Sequence, residues 1–447
     1  MARNEKLSTG TLARGTITGL AVAQAGIVHL GHLARNRSGE EASEGQQARH
    51  EAELGRILFR ALNRLKGTAL KASQLLSMEA GLLPEGVRLQ LARGFHQATP
   101  LNRALVHRVF RQEFSRDADQ LFQCFDPQAF AAASLGQVHH AELHGGERVV
   151  VKLQYPGIAT SIGVDMRMIR TLLQGLRLST DLLPDNEIVE RFMADIEYKL
   201  AEEVDYTHEA DQLRWFGAHA SLPGIFVPQP IASHSTRHVL TMQAVDGLHL
   251  DAWLATNPTR QARDRAGQLL FDWFLQSAFV WRRLHADPHP GNFLFQADGR
   301  IGVVDFGCTK TISPGFAAVV AKAWCAVLRH GPGGDGEALR HNYVDFGMIS
   351  PNLSVDEFER ELMPALASLQ AWQIAPFRTS RFDFASRSPY PAFEATQQRK
   401  IARYMTGFRD EIPYFERAYL GLNHMLKALG AKVSTDNPWI NRGASIG

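Results

Sequence analysis

The stretch His285-Ala-Asp-Pro-His-Pro-Gly-Asn292 is followed, thirteen residues after its Asn, by Asp305-Phe-Gly307. Phosphoryl transfer from ATP needs a carboxylate near the attacking group, an Asn on one metal ion and an Asp on the bridging metal, in about this order and spacing. Asp287, Asn292 and Asp305 fill those places. Neither piece is specific alone, because HxDxxxxN recurs by chance and Asp-Phe-Gly also suits an ordinary strand-to-turn exit. Together, in order, they are a strong signal. Short apolar strands are expected at Asn292-Phe-Leu-Phe295 and Ile301-Gly-Val-Val304 around an Asp298-Gly299 turn. His285, Asp287 and His289 alternate as metal ligands can, but Pro288 and Pro290 more simply shape a rigid loop.

Upstream, residues 126 to 155 alternate short apolar runs with turns and read as antiparallel strands, one of which, Val149-Val-Val151, leads into Lys152. A Lys ending a β-branched strand reads as a solvated guard when it stands alone. Ahead of an Asp/Asn/Asp set it is the expected device for holding the α and β phosphates of a nucleotide. An acid should hold that Lys, and a helix expected from about Glu187 to Leu213 offers Glu202, Glu203, Asp205 and Glu209 toward its far end. Val189, Phe192, Ile196 and Leu200 form its buried stripe, with Asp185 or Asn186 as cap. Unbroken helical spacing puts Glu202, Asp205 and Glu209 near one face and turns Glu203 elsewhere, so geometry alone does not choose the partner. Val239 to Gly247 reads as a strand running into an extended connection, where the backbone at Met242, Gln243 and Val245 is placed to read an adenine edge. A helix from about Ala262 to Leu284, with an aromatic stripe from Phe271 to Trp281, supports the C-terminal half.

The 447 residues allow two or three domains, and 45% hydrophobic with 21% charged residues is ordinary for a folded globular protein. A net charge of +2 offers no basic field for nucleic acid. Cys124, Cys308 and Cys325 lack CxxC spacing, which excludes a zinc knuckle or disulfide framework and fits a reducing compartment. No run of eighteen apolar residues exists; Ile17 to Gly31, with Arg3, Lys6 and Arg14 before it, is short and reads as a plain N-terminal segment, a signal, a transit segment or a surface-lying anchor. Residues 32 to 50 read as a linker. From His50 to Met78, Leu54, Leu58, Ala61, Leu65 and Ala69 recur at helical spacing, and further helical stretches are expected over about 86–95 and 102–114.

Ala131-Ala-Ala-Ser134 stands where a GxGxxG phosphate loop belongs, and no Ala-Pro-Glu follows Asp305-Phe-Gly307. Ala carries a Cβ that restricts the backbone, whereas Gly lets amides fold closely round phosphates, so a stiffer loop should alter nucleotide selectivity or slow transfer. These residues, with Lys71-Ala-Ser-Gln74, Lys152 to Gly157, Glu203-Val-Asp205, Glu209 and the 285–292 loop, make the chain resemble the UbiB atypical kinase-like family, also called the ADCK group, over about residues 60 to 310. The resemblance implies an α+β, two-lobe protein-kinase-like fold with an N-terminal helical extension. The expected divisions are 1–49, an N-terminal segment and linker; 50–125, the extension; 126–248, the N-lobe; 249–430, the helical C-lobe; and 431–447, a tail.

By that resemblance Lys152 pairs with Glu209, Asp287 is the catalytic-loop acid, and Asn292 and Asp305 hold Mg2+. Ala131, Ala132, Ala133 and Ser134, with Lys152, Met242, Gln243 and Val245, would bind the nucleotide. Lys71 and Gln74 would project into the site where a protein substrate docks, with Glu203 and Asp205 anchoring Lys71. Ser73 stands in place of that motif's Gly, and Gln243 in place of an acidic hinge residue common in the family. The implied function is a Mg-ATP-dependent ATPase or small-molecule kinase supporting ubiquinone or other isoprenoid-lipid biosynthesis. Its implied partners are a lipid or isoprenoid intermediate, a membrane surface and biosynthetic enzymes, with no nucleic acid. The implied location is cytoplasmic, peripheral on the inner membrane, or the mitochondrial matrix face if the source is eukaryotic. An aminoglycoside- or choline-kinase-like phosphotransferase shares the HxDxxxxN loop but lacks the KxxQ helix, and a nucleotide-binding scaffold without turnover is the reading from another class.

Overall fold

Residues 19–21, 23–28, 44–65, 68–78, 85–92, 103–133, 135–179, 186–331 and 334–440 are described by the computed structural model. Residues 32–43 of the expected linker, the cap candidate Asp185 and Ser134 lie outside them. The chain forms two compact units, Met1–Asp211 with Pro230–Ala244, and Gln212–Gln229 with Val245–Gly447.

The first unit is built on an antiparallel sheet in the order Cys124–Phe125, Gly136–Glu142, Arg148–Gln154, Val239–Gln243, with Ala131–Ala133 paired to Gly136–Val138. Side chains on a strand alternate faces. Val149, Val151 and Leu153 therefore share one face and are buried against Val106, Val109, Phe110 and Phe122, partly from helix Arg103–Phe114. That burial turns Lys152 and Gln154 to the opposite face. A second, helical core joins Glu44–Leu65, Thr68–Met78 and Glu85–Ala92 to Ile158–Ser179 and Asn186–Glu203. Leu54, Leu58, Ala61 and Ala69 are buried in it as their spacing requires, and the stretch read from His50 to Met78 is two helices. The helix Ile158–Ser179 was not anticipated from the sequence, although Ile158, Ile162, Met166, Ile169 and Leu173, all buried, carry the spacing that marks it.

The single helix expected over 187–213 is two helices, Asn186–Glu203 and Tyr206–His219. Val204 is buried, and the carboxylate of Asp205 accepts hydrogen bonds from the Thr207 amide at 3.0 Å and the Thr207 hydroxyl at 2.5 Å, so the second helix starts on its own cap. The Tyr206 amide donates to the Arg237 carbonyl at 2.9 Å, which diverts the chain at the break.

In the second unit, Phe293–Phe295 and Ile301–Val303 pair antiparallel around the expected turn, where Gly299 has φ of 84°, and Ile225–Phe226 adds a parallel edge. Helices Arg260–Leu275, Pro314–His330 and Ile412–Leu429 bury Phe271, Phe274, Phe316, Trp324, Phe415 and Tyr419 together. The helix expected to run to Leu284 ends earlier. A π-turn covers Gln276–Val280, where the Trp281 amide reaches back to the Gln276 carbonyl, and Arg282 adopts φ of 51°. The reversal frees Arg283–His285 to pair as a strand with Thr309–Thr311. Among the described residues no helix is long and apolar enough to cross a membrane.

Candidate active site

Lys152, on the sheet face away from the Phe110 cluster, donates to both carboxylate oxygens of Glu209 at 2.9 and 2.8 Å. Both groups are buried, and the ammonium also lies 5.3 Å from the centre of the Tyr206 ring. Gln154, two residues on and on the same face, donates to the Val204 carbonyl at 2.8 Å. These two bonds tie the strand to both ends of the helix break. Gly136, across from Gln154, fits there because a Cβ would come within 2.3 Å of the Leu153 carbonyl oxygen and 2.7 Å of the Tyr206 hydroxyl. The break also decides which acid goes where: Glu203 reaches Lys71 at 2.8 Å, while Glu209 takes Lys152. The single helix is corrected to two, while Glu203, which helical spacing turned away from Glu209, does point elsewhere, to Lys71. Asp205, besides capping, faces Arg237 at 3.2 Å. Ser73 is buried, and its hydroxyl has no hydrogen-bond partner among the described residues. Gln74 lies on helix Thr68–Met78, with its side chain outside the described ones.

Ala131–Ala133 is a strand in a tight hairpin with Gly136–Val138, so much of what reads as a loop is held in a sheet ladder. Met242 and Gln243 end the strand Val239–Gln243. Met242 is buried, Gln243 donates to Glu147 at 3.3 Å, and Ala244 donates its amide to the Arg148 carbonyl at 3.0 Å. Val245 lies over Gly302, where an added Cβ would meet it at 2.4 Å.

In the second unit, Asn292 donates through Nδ2 to the Asp287 carbonyl at 2.9 Å and to its carboxylate at 3.2 Å. The loop closes further through the His289 amide on the Asp287 carbonyl, at 2.7 Å, and the Gly291 amide on His289 Nδ1, at 3.1 Å. His285 is buried among Trp273, Phe293 and Phe306, and its Nε2 meets the Asp305 carbonyl at 2.6 Å. Burial pushes its pKa down, so the ring is neutral at pH 7 with the proton on Nε2. Asp305 accepts the Gly307 amide at 2.9 Å, and Phe306 packs on Phe216 at 4.8 Å between ring centres.

The C-terminal helices contribute a brace. Arg417 donates to the Ala286 carbonyl at 2.6 Å and contacts the Cys308 thiol. Burial opposes its charge, yet Cys308, Asp287 and Tyr414 around it leave its pKa above the ordinary guanidinium value. Gly421, one turn further on the same helix, lets the loop approach, since a Cβ would sit 2.7 Å from Pro288. No motif marks either residue.

Residues 93–331 match the ABC1 atypical kinase-like domain. The chain belongs to that family. ABC1 relatives include an uncharacterized protein of Synechocystis sp., 29% identical over 69% of this chain and 44% of its own length. One from Mycobacterium tuberculosis is 30% identical over 68% and 60%. The mitochondrial atypical kinase COQ8 of Saccharomyces cerevisiae is 29% identical over 57% and 50%. The ABC1 chain described here thus spans only 44 to 60% of these relatives. The UbiB and ADCK resemblance drawn from the motifs names the same family. A solved structure, the erythromycin complex of another Mycobacterium tuberculosis protein, shares the fold with a TM-score of 0.60 at 24% identity, covering 89% of this chain and 96% of that one. The kinase-like fold expected from the sequence is therefore established.

Proposed function

We propose that this chain binds Mg-ATP and acts as an ATPase or a small-molecule kinase in the biosynthesis of ubiquinone or another isoprenoid lipid, at a membrane surface. The buried, two-pronged Lys152–Glu209 pair carries the reading. Burying an ammonium and a carboxylate costs more than a surface pair returns, so the arrangement fits a cation held in place for an anionic ligand better than a device for stability. Lys152 holds the α and β phosphates and Glu209 fixes its position. Ala131, Ala132, Ala133 and Ser134, with the backbone at Met242, Gln243 and Val245, bind the rest of the nucleotide.

The loop residues suit a hard cation. Asn292 spends its amide hydrogens on Asp287, which leaves its carbonyl oxygen as the donor atom, and Asp305 offers a carboxylate. Mg2+, when bound, supplies charge neutralisation at the phosphates. Asp287, kept in place by Asn292 and by Arg417 on the Ala286 carbonyl, orients the attacking hydroxyl or water. Neutral His285 holds the Asp305 backbone without adding a charge beside the metal ligands. Lys71, Gln74, Glu203 and Asp205 regulate by keeping protein substrates out.

Purified protein should release phosphate from Mg-ATP, more so with anionic liposomes, and Asp305→Asn should reduce release to background while the fold survives. Equal release by wild type and variant overturns the site assignment. Deleting residues 17–31 should weaken flotation with anionic liposomes. Of that segment, residues 19–21 and 23–28 are described, with Ala21 and Ala25 buried and Leu20 and Ile27 exposed. Undiminished flotation would leave it as a plain tail.

A further inference from the structure

Helix Arg260–Leu275 and the ribbon Arg381–Asp383 with Lys432–Ser434 flank an open cleft of about 570 Å³, lined by Arg260, Asp264, Arg265, Arg381 and Lys432 with two glutamines. Its one acid is already used. Asp264 takes Arg260 at 3.0 Å and the Lys432 backbone amide at 2.7 Å, and Arg260 also reaches Asp383 at 3.3 Å. The side chains of Arg265, Arg381 and Lys432 are exposed and have no hydrogen-bond or ion-pair partner among the described residues. Three uncompensated cations thus border one concavity in a chain whose net charge is only +2. Gln261 and Gln268 add neutral donors, though Gln268 already serves Asp272 at 2.9 Å and the Ser434 backbone.

From these observations we infer that the cleft is an anion site for a phosphorylated ligand, separate from the residues assigned to the nucleotide. Two guanidinium groups and an ammonium match the chemistry of a phosphate or diphosphate group, since a guanidinium grips phosphate oxygens in pairs. The β-turn at Gly299 links the cleft to the assigned metal ligands: the Arg265 guanidinium lies 3.5 Å from where a Gly299 Cβ would be, and this turn joins the strands that follow Asn292 and lead to Asp305. Either a soluble phosphorylated metabolite or a phosphorylated lipid headgroup carries the required chemistry.

Binding of inorganic pyrophosphate in Mg-free buffer, by calorimetry, and of phosphatidylcholine vesicles with and without phosphatidic acid, by flotation, separates the two sources. The full chain is compared with Arg381→Glu/Lys432→Glu, and with Arg329→Glu/Arg399→Glu, which changes net charge equally outside the cleft. Lys152→Met, run alongside, reports any pyrophosphate taken by the nucleotide residues. Binding of pyrophosphate that survives Lys152→Met and the control pair but weakens about tenfold in the cleft pair, with added salt weakening it further, supports a soluble ligand. Anionic-vesicle binding lost only in the cleft pair, with pyrophosphate silent, supports a headgroup. No binding of either probe, or equal loss in cleft and control pairs, or loss confined to Lys152→Met, overturns the inference. The last of these outcomes leaves the nucleotide reading intact.

Discussion

At Lys152 and Glu209 the chemistry is set by what each charge would do without the other. Removing Glu209 alone leaves a buried ammonium without its carboxylate, which costs about 3–5 kcal/mol, whereas replacing both by apolar residues of similar size is close to neutral. Denaturant unfolding should therefore find Glu209→Ala several kcal/mol less stable than wild type, and Lys152→Met/Glu209→Leu more stable than the single variant. A double variant as unstable as Glu209→Ala would mean that packing, not charge, dominates there. Single residues also show where the sequence is informative. Asp287, Asn292 and Asp305 lie within one short stretch at fixed spacing, and Lys152 ends a β-branched run, so local pattern suffices to pick them out. Arg417 and Gly421 reach the same loop from a helix far along the chain, where spacing carries no information. The buried, unpartnered Ser73 hydroxyl is legible as a departure from a motif, but nothing in the structure explains it.

Among elements, the junction at Val204 and Asp205 matters most. Amphipathic periodicity runs through it, which is why the sequence reads as one helix; the cap formed by Asp205 and the diversion of Tyr206 toward Arg237 are tertiary choices that periodicity cannot reveal. Because of the break, Lys71 and Lys152 each have an acid of their own. If the Lys71 helix restrains phosphoryl transfer as proposed, Lys71→Ala should raise autophosphorylation severalfold over a near-silent wild type, read by radiolabel incorporation. A flat signal would assign the Lys71–Glu203 pair to anchoring alone. The strand ending in Lys152 is legible, since alternation fixes which face each of its side chains takes, whereas Ala131–Ala133 reads as a loop and is paired in the ladder. The Ile158–Ser179 helix carries its apolar spacing openly, whereas the π-turn at Gln276–Val280 does not, because a one-residue bulge leaves no compositional mark.

For the molecule as a whole, two buried groups give opposing pH dependences. Glu416, on the helix that braces the loop, is raised by burial to about 7, so the folded state holds a proton that the unfolded chain gives up near the ordinary carboxylate value. Its contribution is present at low pH and is lost as pH rises from about 4.5 toward 7. His285 is lowered by burial, so its contribution is present at neutral pH and is lost as pH falls through the usual imidazole range. Wild-type melting alone mixes the two. Glu416→Gln should raise Tm at pH 7.5 and change it little at pH 5, a difference that isolates the carboxylate; an equal shift at both values would refute the assignment. Connectivity has a further consequence. Each compact unit is assembled from two separate stretches, and the chain passes from one unit to the other after Asp211, Gln229 and Ala244. During synthesis the sheet strand Val239–Gln243 emerges long after its neighbour Arg148–Gln154, and Ile225–Phe226 must wait for Ile301–Val303 before it can pair. A fragment ending at Asp211 lacks the strand Val239–Gln243 and one beginning at Val245 lacks Ile225–Phe226, so a nascent chain released early would expose unpaired edges to aggregation and to the proteases that clear such products.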